Sequence, residues 1–243
     1  MAGHSKFKNI MHRKDAQDKK KAKLFTRAVK EIIVAARSGV PDPESNPRLR
    51  AAINTAKQIN LPKDKIDKAI SKSTIQSETT QYQEVLYEGY GPGGLVLIVQ
   101  AFTDNKNRTT SEIRAAFNKN CGVLGEPGSV RYMFNKISYI VYRNQDVNTE
   151  DIINASIDMG VEDVIIKSQD IEILSDASKC FGIYEALAEK FGQPYTSEIL
   201  WVPNTSIKLS GDKYEKASKL LEALDSLYDT QCIYSNLEKL SIK

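Results

Sequence analysis

The chain has 243 residues, of which 41% are hydrophobic and 27% are charged, an ordinary composition for a globular protein with room for two or three domains. Its net charge of +3 conceals an asymmetry. Residues 1–77 contain 18 basic and 7 acidic side chains, a net charge of +11, whereas residues 78–243 contain 16 and 24, a net charge of −8. This pattern is typical of a polyanion-binding module joined to a region that does not bind polyanions.

Several classes of protein are excluded by the same composition. No apolar run approaches the roughly 20 residues of a membrane-spanning helix. The lysine-rich N-terminus lacks the apolar core of a secretory signal and the Arg/Ser-rich composition of a transit peptide, so we expect a cytoplasmic protein. Cys121, Cys180 and Cys232 are too widely spaced for a disulfide framework or a metal site. We expect each cysteine to be a small buried apolar residue.

The first predicted elements are three amphipathic helices. Residues 1–15 are expected to be an extended basic lead-in, followed by a helix over residues 16–37. Asn46 is a typical N-cap and Pro47 a typical first residue for the second helix. A third helix follows, with its lysines facing outward. Short connections between the helices predict a basic helical bundle over residues 1–77, with a Ser/Thr/Gln-rich linker at its end.

Basic residues of the first helix, with the exception of Lys21, fall opposite its apolar residues, which include Leu24, on a helical wheel. The apolar half must pack against the other helices, so the basic stripe is expected to face outward. A charge run is usually just a solvated surface, but this one is one-sided and has few acidic partners. We therefore predict contacts with nucleic-acid phosphates from Lys6, Lys8, Arg13, Lys14, Lys19, Lys20, Lys23, Arg27, Lys30, Arg48 and Arg50.

From residue 84 onward the pattern is that of an α/β region. Residues 137–202 follow the order β-α-β-β-α-β, which is the ferredoxin-like pattern. The flanking pieces, each strand–helix–strand, form the same pattern cut in the middle, and a hairpin tip tolerates insertion well. The predicted strands are residues 95–101, 130–134, 137–142, 164–167, 171–174, 197–202, 206–209 and 231–234.

The simplest fold class is therefore α+β, with an N-terminal three-helix bundle and two ferredoxin-like α/β domains, one inserted in the other. The predicted domains are residues 1–77, a discontinuous domain of residues 84–134 and 203–243, and an inserted domain of residues 135–202. A single long mixed sheet is the alternative.

Residues 89–94, Gly-Tyr-Gly-Pro-Gly-Gly, have the spacing G-x-G-x-x-G. In a dinucleotide site this motif follows a strand and opens a helix whose N-terminus meets the pyrophosphate. Here a strand follows the motif, and Pro92 lacks one of the required amides. A glycine-rich turn that positions the strand is the favoured interpretation.

A second anion contact is suggested by residues 104–109, between a predicted strand and a predicted helix. Thr109 and Glu112 have the spacing of a capping box, which predicts the helix start. Lys106 and Arg108 lie beside that start, where an anion is favoured, and Arg108 joins the predicted nucleic-acid-binding residues. Turn and helix-cap formation would by itself explain the polar residues of this segment.

His4 and His12 are the two histidines of the chain, and both lie in the basic lead-in. Together with Asp15 they form a candidate hydrolytic or metal site. General acid–base catalysis needs groups held by a rigid shell, and none is visible here, so contacts with phosphates or bases are favoured. No other catalytic motif is present. We predict a non-enzymatic protein without catalytic residues, metal or cofactor.

Several segments resemble the YebC/PmpR family, in order from end to end. They are residues 1–6 (MAGHSK), 12–14 (HRK), 42–43 (DP), 46–51 (NPRLRA), 87–94 (YEGYGPGG) and 107–109 (NRT). The resemblance implies a helical bundle and two ferredoxin-like domains, in agreement with the pattern above. Two positions depart from the family: Phe7 replaces the usual tryptophan, and Ser-Gly-Val at residues 38–40 replaces a glycine run.

The family is usually labelled as transcriptional regulators. Related proteins are also described as translation factors, including a mitochondrial activator of cytochrome oxidase synthesis and bacterial forms that relieve ribosome stalling at proline runs. Our leading interpretation is a nucleic-acid-binding regulator, with DNA-binding transcriptional control first. No helix-turn-helix with base-reading side chains is recognisable, which keeps RNA on the ribosome as the alternative. A metal-dependent nuclease and a protein-interaction adaptor are two further hypotheses.

Overall fold

The computed structural model describes residues 3–74 and 82–238, with side chains described from residue 18 onward except that of Lys19. The chain divides into an N-terminal unit, Met1–Glu78, and a C-terminal unit, Thr79–Lys243. Its class is α+β: three helices in the first unit, and two four-stranded antiparallel sheets with helices in the second. Among the described residues, no helix combines the length and apolarity needed to cross a membrane.

Three helices form the N-terminal unit: α1 (Gly3–Arg37), α2 (Pro47–Gln58) and α3 (Lys63–Thr74). Helix α1 packs against both of the others. The predicted extended lead-in is wrong, because the backbone is helical from Gly3. No proline or glycine interrupts residues 4–37, so nothing in the sequence breaks the helix there. The predicted linker overlaps the end of α3, and its residues 75–81 lie outside the described residues.

Asn46 fixes the angle between α1 and α2. Its side-chain oxygen accepts from the Leu49 amide at 3.1 Å, as predicted for an N-cap. Its Nδ2 donates to the carbonyls of Ala35 at 2.8 Å and Val40 at 2.9 Å. A Cβ at Gly39 would lie 2.9 Å from this Nδ2. One buried side chain thus satisfies the end of one helix and the start of the next, and the glycine gives it room.

Two sheets form the C-terminal unit. The first contains β1 (Gln83–Tyr90), β2 (Val96–Thr103), β3 (Val123–Leu124) and β8 (Thr230–Ser235) in the order β3-β1-β2-β8. The second contains β4 (Phe134–Arg143), β5 (Asp163–Ile166), β6 (Asp170–Asp176) and β7 (Thr196–Pro203) in the order β5-β6-β4-β7. The helices are α4 (Lys106–Lys119), α5 (Thr149–Asp158), α6 (Cys180–Phe191) and α7 (Gly211–Ser226).

The second sheet has the ferredoxin-like order, and all its strand pairs are antiparallel. Its strands come from a continuous stretch of the chain, whereas those of the first sheet come from both sides of that stretch. The domain boundaries given above stay a prediction.

The first sheet departs from the predicted elements in four places. Strand β1 was missed, because its alternation ends in the glycine-rich motif, and the two-residue strand β3 was missed as well. The strand predicted at residues 130–134 is a 3-10 turn, Arg131–Met133, after which β4 begins. The strand predicted at residues 206–209 is reduced to one bridge, between Ile207 and Leu237. The first sheet is therefore a hairpin with two added edge strands rather than two β-α-β halves.

Helix α4 begins earlier than the predicted capping box. Its N-cap is Asn105, whose side chain accepts from the Arg108 amide at 3.0 Å, and Thr109 lies one turn inside the helix. The predicted burial of the cysteines is also wrong, because Cys121 and Cys232 are exposed and Cys180 is half-buried. The spacing of residues along the sequence did not show which polar residue caps α4, nor that the cysteines lie at or near the surface.

Residues 91–94 of the glycine-rich motif form the turn between β1 and β2, so the interpretation of this motif as a turn is confirmed. Gly93 has φ +72°, a backbone conformation that other residues rarely adopt. A Cβ at Gly89 would lie 2.6 Å from the Phe117 ring and 2.8 Å from the Val123 carbonyl. The motif lets α4 and β3 approach the hairpin closely, and it opens no helix that could hold a phosphate.

Each sheet has its own core. Leu97, Val99 and Phe117 lie in the cluster beneath the first sheet, and Ile140 and Ile173 in that of the second. Burying side chains of this size contributes about 1.5–3 kcal/mol each. A third cluster contains Val96, Ile98, Val130 and Phe134, and Trp201 and Tyr234 pack against it. This cluster connects the two sheets, since its members come from both.

Candidate nucleic-acid interface

Five predicted phosphate-binding residues lie on α1 at positions whose side chains are outside the described ones. They are Lys6, Lys8, Arg13, Lys14 and Lys19. The same holds for the candidate hydrolytic group of His4, His12 and Asp15. Because the backbone is helical from Gly3, these residues belong to the first helix and not to an extended lead-in.

The predicted basic stripe of α1 does not stay exposed along its length. Lys20 is exposed, Lys23 and Arg27 are half-buried, and Lys30 is only 2% exposed. The prediction of Lys30 as an outward-facing residue is therefore wrong. The five consecutive residues 32–36 are all buried, so α1 is enclosed on every side near its C-terminal end, where α2 and α3 both pack.

The opposite end of the described part of α1 is more open than the wheel suggested. Leu24, placed on the buried half by its periodicity, is 49% exposed. Lys21 was the one basic residue that pointed toward the apolar half. The structure places its Nζ 5.5 Å from the ring centroid of Phe25, and Lys65 Nζ lies 5.6 Å from the same centroid. Phe25 thus brings a lysine of α1 and a lysine of α3 to one place.

Helix α3 adds further cations on the flank that carries Lys65. Lys65, Lys68 and Lys72 have the spacing i, i+3, i+7, so they share one flank of the helix, and all three are exposed. The lysine surface is defined here as Lys21, Lys65, Lys68 and Lys72. The sequence had placed the α3 lysines outward but had not included them among the binding residues.

The lysine surface has little internal charge compensation. Its one ion pair with a described residue is between Lys68 and Asp64, at 3.8 Å, with both side chains largely exposed. Such pairs contribute little to stability, because water screens them. The other three lysines form no ion pair with a described side chain. Their charge is therefore available to a polyanion.

The arginines of α2 contact the N-terminal unit itself. Arg48 Nε lies 3.0 Å from Glu31 Oε1. Arg50 donates from Nε to the carbonyl of Pro43 at 3.1 Å and from Nη2 to that of Glu44 at 3.3 Å. These contacts hold α2 on α1 and stabilise the loop before α2. Both arginines have structural partners that the sequence pattern did not indicate.

Arg108, the predicted second anion contact, is held by two carboxylates. One Nη2 lies 2.8 Å from both Asp104 Oδ1 and Asp229 Oδ2. Asp229 is 1% exposed and also accepts from Thr109 Oγ1 at 2.6 Å. Hydrogen bonds to Asp229 and Asp104 raise the pKa of Arg108. The predicted anion contact is thus filled by carboxylates of the C-terminal unit.

Within the part of the chain that the structure describes, no three His, Cys, Asp or Glu side chains converge as a metal site would require. The structure and its lysine surface define a class of protein: a cation-rich three-helix unit followed by a two-sheet α/β unit. The chain belongs to the TACO1/YebC family, as the sequence resemblance predicted. The family's N-terminal domain matches residues 5–76, and its second and third domains match residues 82–237.

Three relatives are similar to this chain over nearly its whole length. Those of Rickettsia typhi and Rickettsia canadensis are each 46% identical, covering 97% and 98% of this chain and 94% and 95% of the relatives. That of Rickettsia akari is 47% identical over 98% of this chain and 95% of its own length. All three are named probable transcriptional regulatory proteins.

A solved structure supports the fold. The crystal structure of a conserved hypothetical protein from Aquifex aeolicus is similar to this chain with a TM-score of 0.78 and 39% sequence identity. The match covers 89% of this chain and 90% of that one. The architecture described above is therefore shared by both proteins.

Proposed function

We propose that this protein is a non-enzymatic regulator of gene expression that binds nucleic-acid phosphates through its N-terminal unit, with DNA-binding transcriptional control as the leading role. The name of its Rickettsia relatives, probable transcriptional regulatory protein, supports this role. The observation that carries the proposal is the lysine surface, where exposed cations of two helices meet around one aromatic ring.

Phosphate binding explains this arrangement better than a solvated surface does. Residues 1–77 have a net charge of +11, and cations brought together with few carboxylates among them repel each other, which opposes folding. A polyanion removes that repulsion and releases its own condensed counterions when it binds. A nucleic-acid backbone therefore supplies the compensating negative charge that the N-terminal unit supplies only in part to the lysine surface.

In the proposed binding mode, the protein contacts phosphates and does not recognise base sequence. Lysine is a flexible point charge without the planar fork that arginine uses for bidentate base contacts. Phosphate contacts fix the position of a protein on a duplex but carry no direct sequence information. We expect sequence-tolerant affinity from this surface.

Salt dependence of binding tests the proposal. If about six cations meet duplex phosphates, log K falls with log salt at a slope of roughly −5. Replacing Lys21, Lys65, Lys68 and Lys72 with alanine is expected to reduce that slope by about 3 to 4 and to weaken duplex DNA binding at least tenfold at low salt. Fluorescence anisotropy of a labelled duplex measures both quantities.

A matched control removes four exposed lysines from the C-terminal unit: Lys119, Lys190, Lys213 and Lys219. It changes the net charge of the protein equally, so a loss confined to the first variant assigns the contact to the lysine surface. Equal affinity and slope in the two variants would refute the proposal.

RNA phosphates would contact the same lysines, so affinity alone does not separate transcription from translation. Crosslinking in cells followed by sequencing of the bound nucleic acid makes the distinction. Enrichment of promoter DNA supports the leading role, and enrichment of ribosomal RNA replaces it with a role on the ribosome. Cleavage of labelled RNA or DNA by the purified protein would contradict the non-enzymatic part of the proposal.

A further inference from the structure

A groove of about 560 Å³ lies at the seam between the two sheets of the C-terminal unit. Strand β7 is an edge of the second sheet and β8 an edge of the first, and both contribute to the groove together with α7. Its lining includes three aromatic rings, Trp201, Tyr214 and Tyr234, each half-buried, and the apolar side chains of Leu221 and Ile233. Pockets for small organic groups typically measure about 300–1,000 Å³.

Two of the three rings are fixed by their surroundings. Trp201 and Tyr234 pack against the cluster that connects the sheets, and the Tyr234 hydroxyl donates to Gln100 Oε1 at 3.4 Å. Tyr214, on α7, lines the same groove. Rings that are already ordered lose little conformational freedom when a flat ligand stacks on them. The groove is therefore prepared for an aromatic or planar group.

Two cations lie beside the same tryptophan, although neither is among the residues that line the groove. Lys136 Nζ is 5.6 Å from the Trp201 ring centroid, and the Arg131 guanidinium carbon is 6.0 Å from it. Arg131 is also paired with Glu88 at 3.0 Å, whereas Lys136 is exposed and forms no ion pair with a described residue. The nearby Tyr132 ring is 74% exposed. The positive charge here stands out, because residues 78–243 as a whole carry a net charge of −8.

One carboxylate lines the groove, that of Glu238, and it lies 3.3 Å from Lys208 Nζ. Its charge is thus compensated locally. An apolar peptide would use the rings but not the cation, and a small anion would use the cation but not the rings. An unpaired nucleotide uses both, since it joins a flat base to a phosphate.

We propose that this groove binds an unpaired base of single-stranded nucleic acid, which stacks on Trp201 and Tyr214 while the adjacent phosphate contacts Lys136. This inference rests on the proposed function and deepens it, because it adds a base-stacking contact in the C-terminal unit to the phosphate contacts of the N-terminal unit. A bound nucleic acid with an unpaired stretch would satisfy both sites, whereas a continuous duplex would satisfy only the lysine surface.

The chain contains one tryptophan, so its intrinsic tryptophan fluorescence comes from Trp201, a residue of the groove lining. We would titrate the full chain with short single strands of oligo-uridine or oligo-thymidine, and with a duplex of matched length. Stacking of a base on Trp201 is expected to quench its emission in proportion to the bound single strand. Anisotropy of the same labelled oligonucleotides gives total binding independently of the groove.

Lys136→Ala tests the phosphate contact on an exposed position whose loss does not endanger folding. We expect it to make the salt slope for single strands shallower by about 0.7. Lys190→Ala is the matched control, because Lys190 Nζ also lies over an aromatic ring, 5.3 Å from the centroid of Phe191, and Phe191 does not line the groove whereas Trp201 does. Tyr214→Ala is expected to weaken single-strand binding about fivefold or more and to leave duplex binding unchanged.

The outcomes separate the two proposals. Single-strand binding by anisotropy without a change in Trp201 emission refutes the groove inference and leaves the proposed function standing. Equal quenching by duplex and single strand refutes the requirement for an unpaired base. Absence of binding to any of the nucleic acids refutes both proposals. Quenching by single strands alone, with a loss on Lys136→Ala but not on Lys190→Ala, supports the inference.

Discussion

The lysine surface of the N-terminal unit and two arginines of the C-terminal unit use their charge in opposite ways. In the N-terminal unit, Lys21 and Lys65 flank an aromatic ring and form no ion pair with a described carboxylate. In the C-terminal unit, Arg108 and Arg131 each contact a carboxylate that is almost completely buried, Asp229 and Glu88 respectively. The first arrangement leaves charge available to a ligand, and the second fixes loops of the same chain.

Glu88 shows the structural arrangement most clearly. Its side chain accepts from the amides of Gly128 at 2.8 Å and of Val130 and Arg131 at 2.9 Å each, and it pairs with the Arg131 guanidinium at 3.0 Å. Burial raises the pKa of Glu88, but these three amides and Arg131 together outweigh it, so the pKa lies below its ordinary value. The carboxylate holds the loop after β3 against β1.

A count of charges therefore does not predict how those charges are used. Arginine suits buried or partly buried pairs, because its planar fork matches a carboxylate and it is weakly hydrated, whereas lysine is strongly hydrated and stays in water. We derive five predictions that test this contrast and the contacts of the fold.

The largest effect is expected from Glu88→Ala. Removing one partner of a buried ion pair, and leaving three amides without an acceptor, is expected to lower the free energy of unfolding by about 3–5 kcal/mol. Denaturant unfolding of the C-terminal unit measures it. Glu126→Ala, at an exposed position of the same loop, is the control and should have no such effect.

The stabilisation contributed by the Glu88 carboxylate depends on pH, because the pKa of Glu88 is lowered in the folded protein. A carboxyl group with a lowered folded-state pKa stabilises the protein above its ordinary pKa, and the stabilisation is lost as the pH falls through the folded-state value. The gap in stability between the wild type and Glu88→Gln is therefore widest at neutral pH and narrows in acid. A constant gap would contradict the assigned role of the charge.

A smaller loss is expected from Asn46→Ala. The cap contributes about 1 kcal/mol, and two carbonyls at the α1–α2 junction lose their donor, so we expect about 2 kcal/mol in total. Asn54→Ala is the control, because Asn54 lies within the same helix and is not part of the α1–α2 junction. Loss of stability in both variants would show that the junction is not the cause.

Lys30→Ala compares a buried lysine with the exposed ones. Because Lys30 is 2% exposed and engaged within the protein, its replacement is expected to lower stability by about 1–3 kcal/mol. The salt slope of nucleic-acid binding should not change. A shallower salt slope with unchanged stability would contradict this prediction and show that Lys30 contacts the nucleic acid.

The smallest stability effect is expected from Lys68→Ala. The pair with Asp64 at 3.8 Å is exposed, so the unfolding midpoint should stay within error. The salt slope of duplex binding, in contrast, should become shallower by about 0.9. The two measurements together distinguish a cation that serves binding from one that serves the fold.

Much of the fold was predictable because it depends on short-range rules. The cap at Asn46, the helical period of α2 and α3, and the β-α-β-β-α-β order of the second sheet follow from residues within a few positions of each other. The errors fell where short-range rules are ambiguous. Strand β1 runs into a glycine-rich turn, and the cap of α4 had two polar candidates, of which Asn105 was the one used.

The candidate site was less predictable than the fold. Periodicity located the lysines of α1 and α3 on outer faces, but only the packing of three helices showed that Lys30 is enclosed and that Lys65 lies beside Phe25. The partner of Arg108 could not be predicted either, since Asp229 is 121 positions away in the sequence. No sequence motif marked Trp201 as a site residue, because the groove that it lines is formed by two strands from different sheets together with α7.

By itself, the sequence determined the charge asymmetry, the kinds of elements, most of their order and the family. Composition is a property of the sequence itself, and periodicity and local motifs depend on neighbouring residues, so all three can be recognised without a structure. Tertiary structure decided which cations are buried, which are neutralised by carboxylates and which face water. Burial and pairing depend on residues far apart in the chain, and the local pattern of charge is the same whether or not a carboxylate from elsewhere comes to meet it.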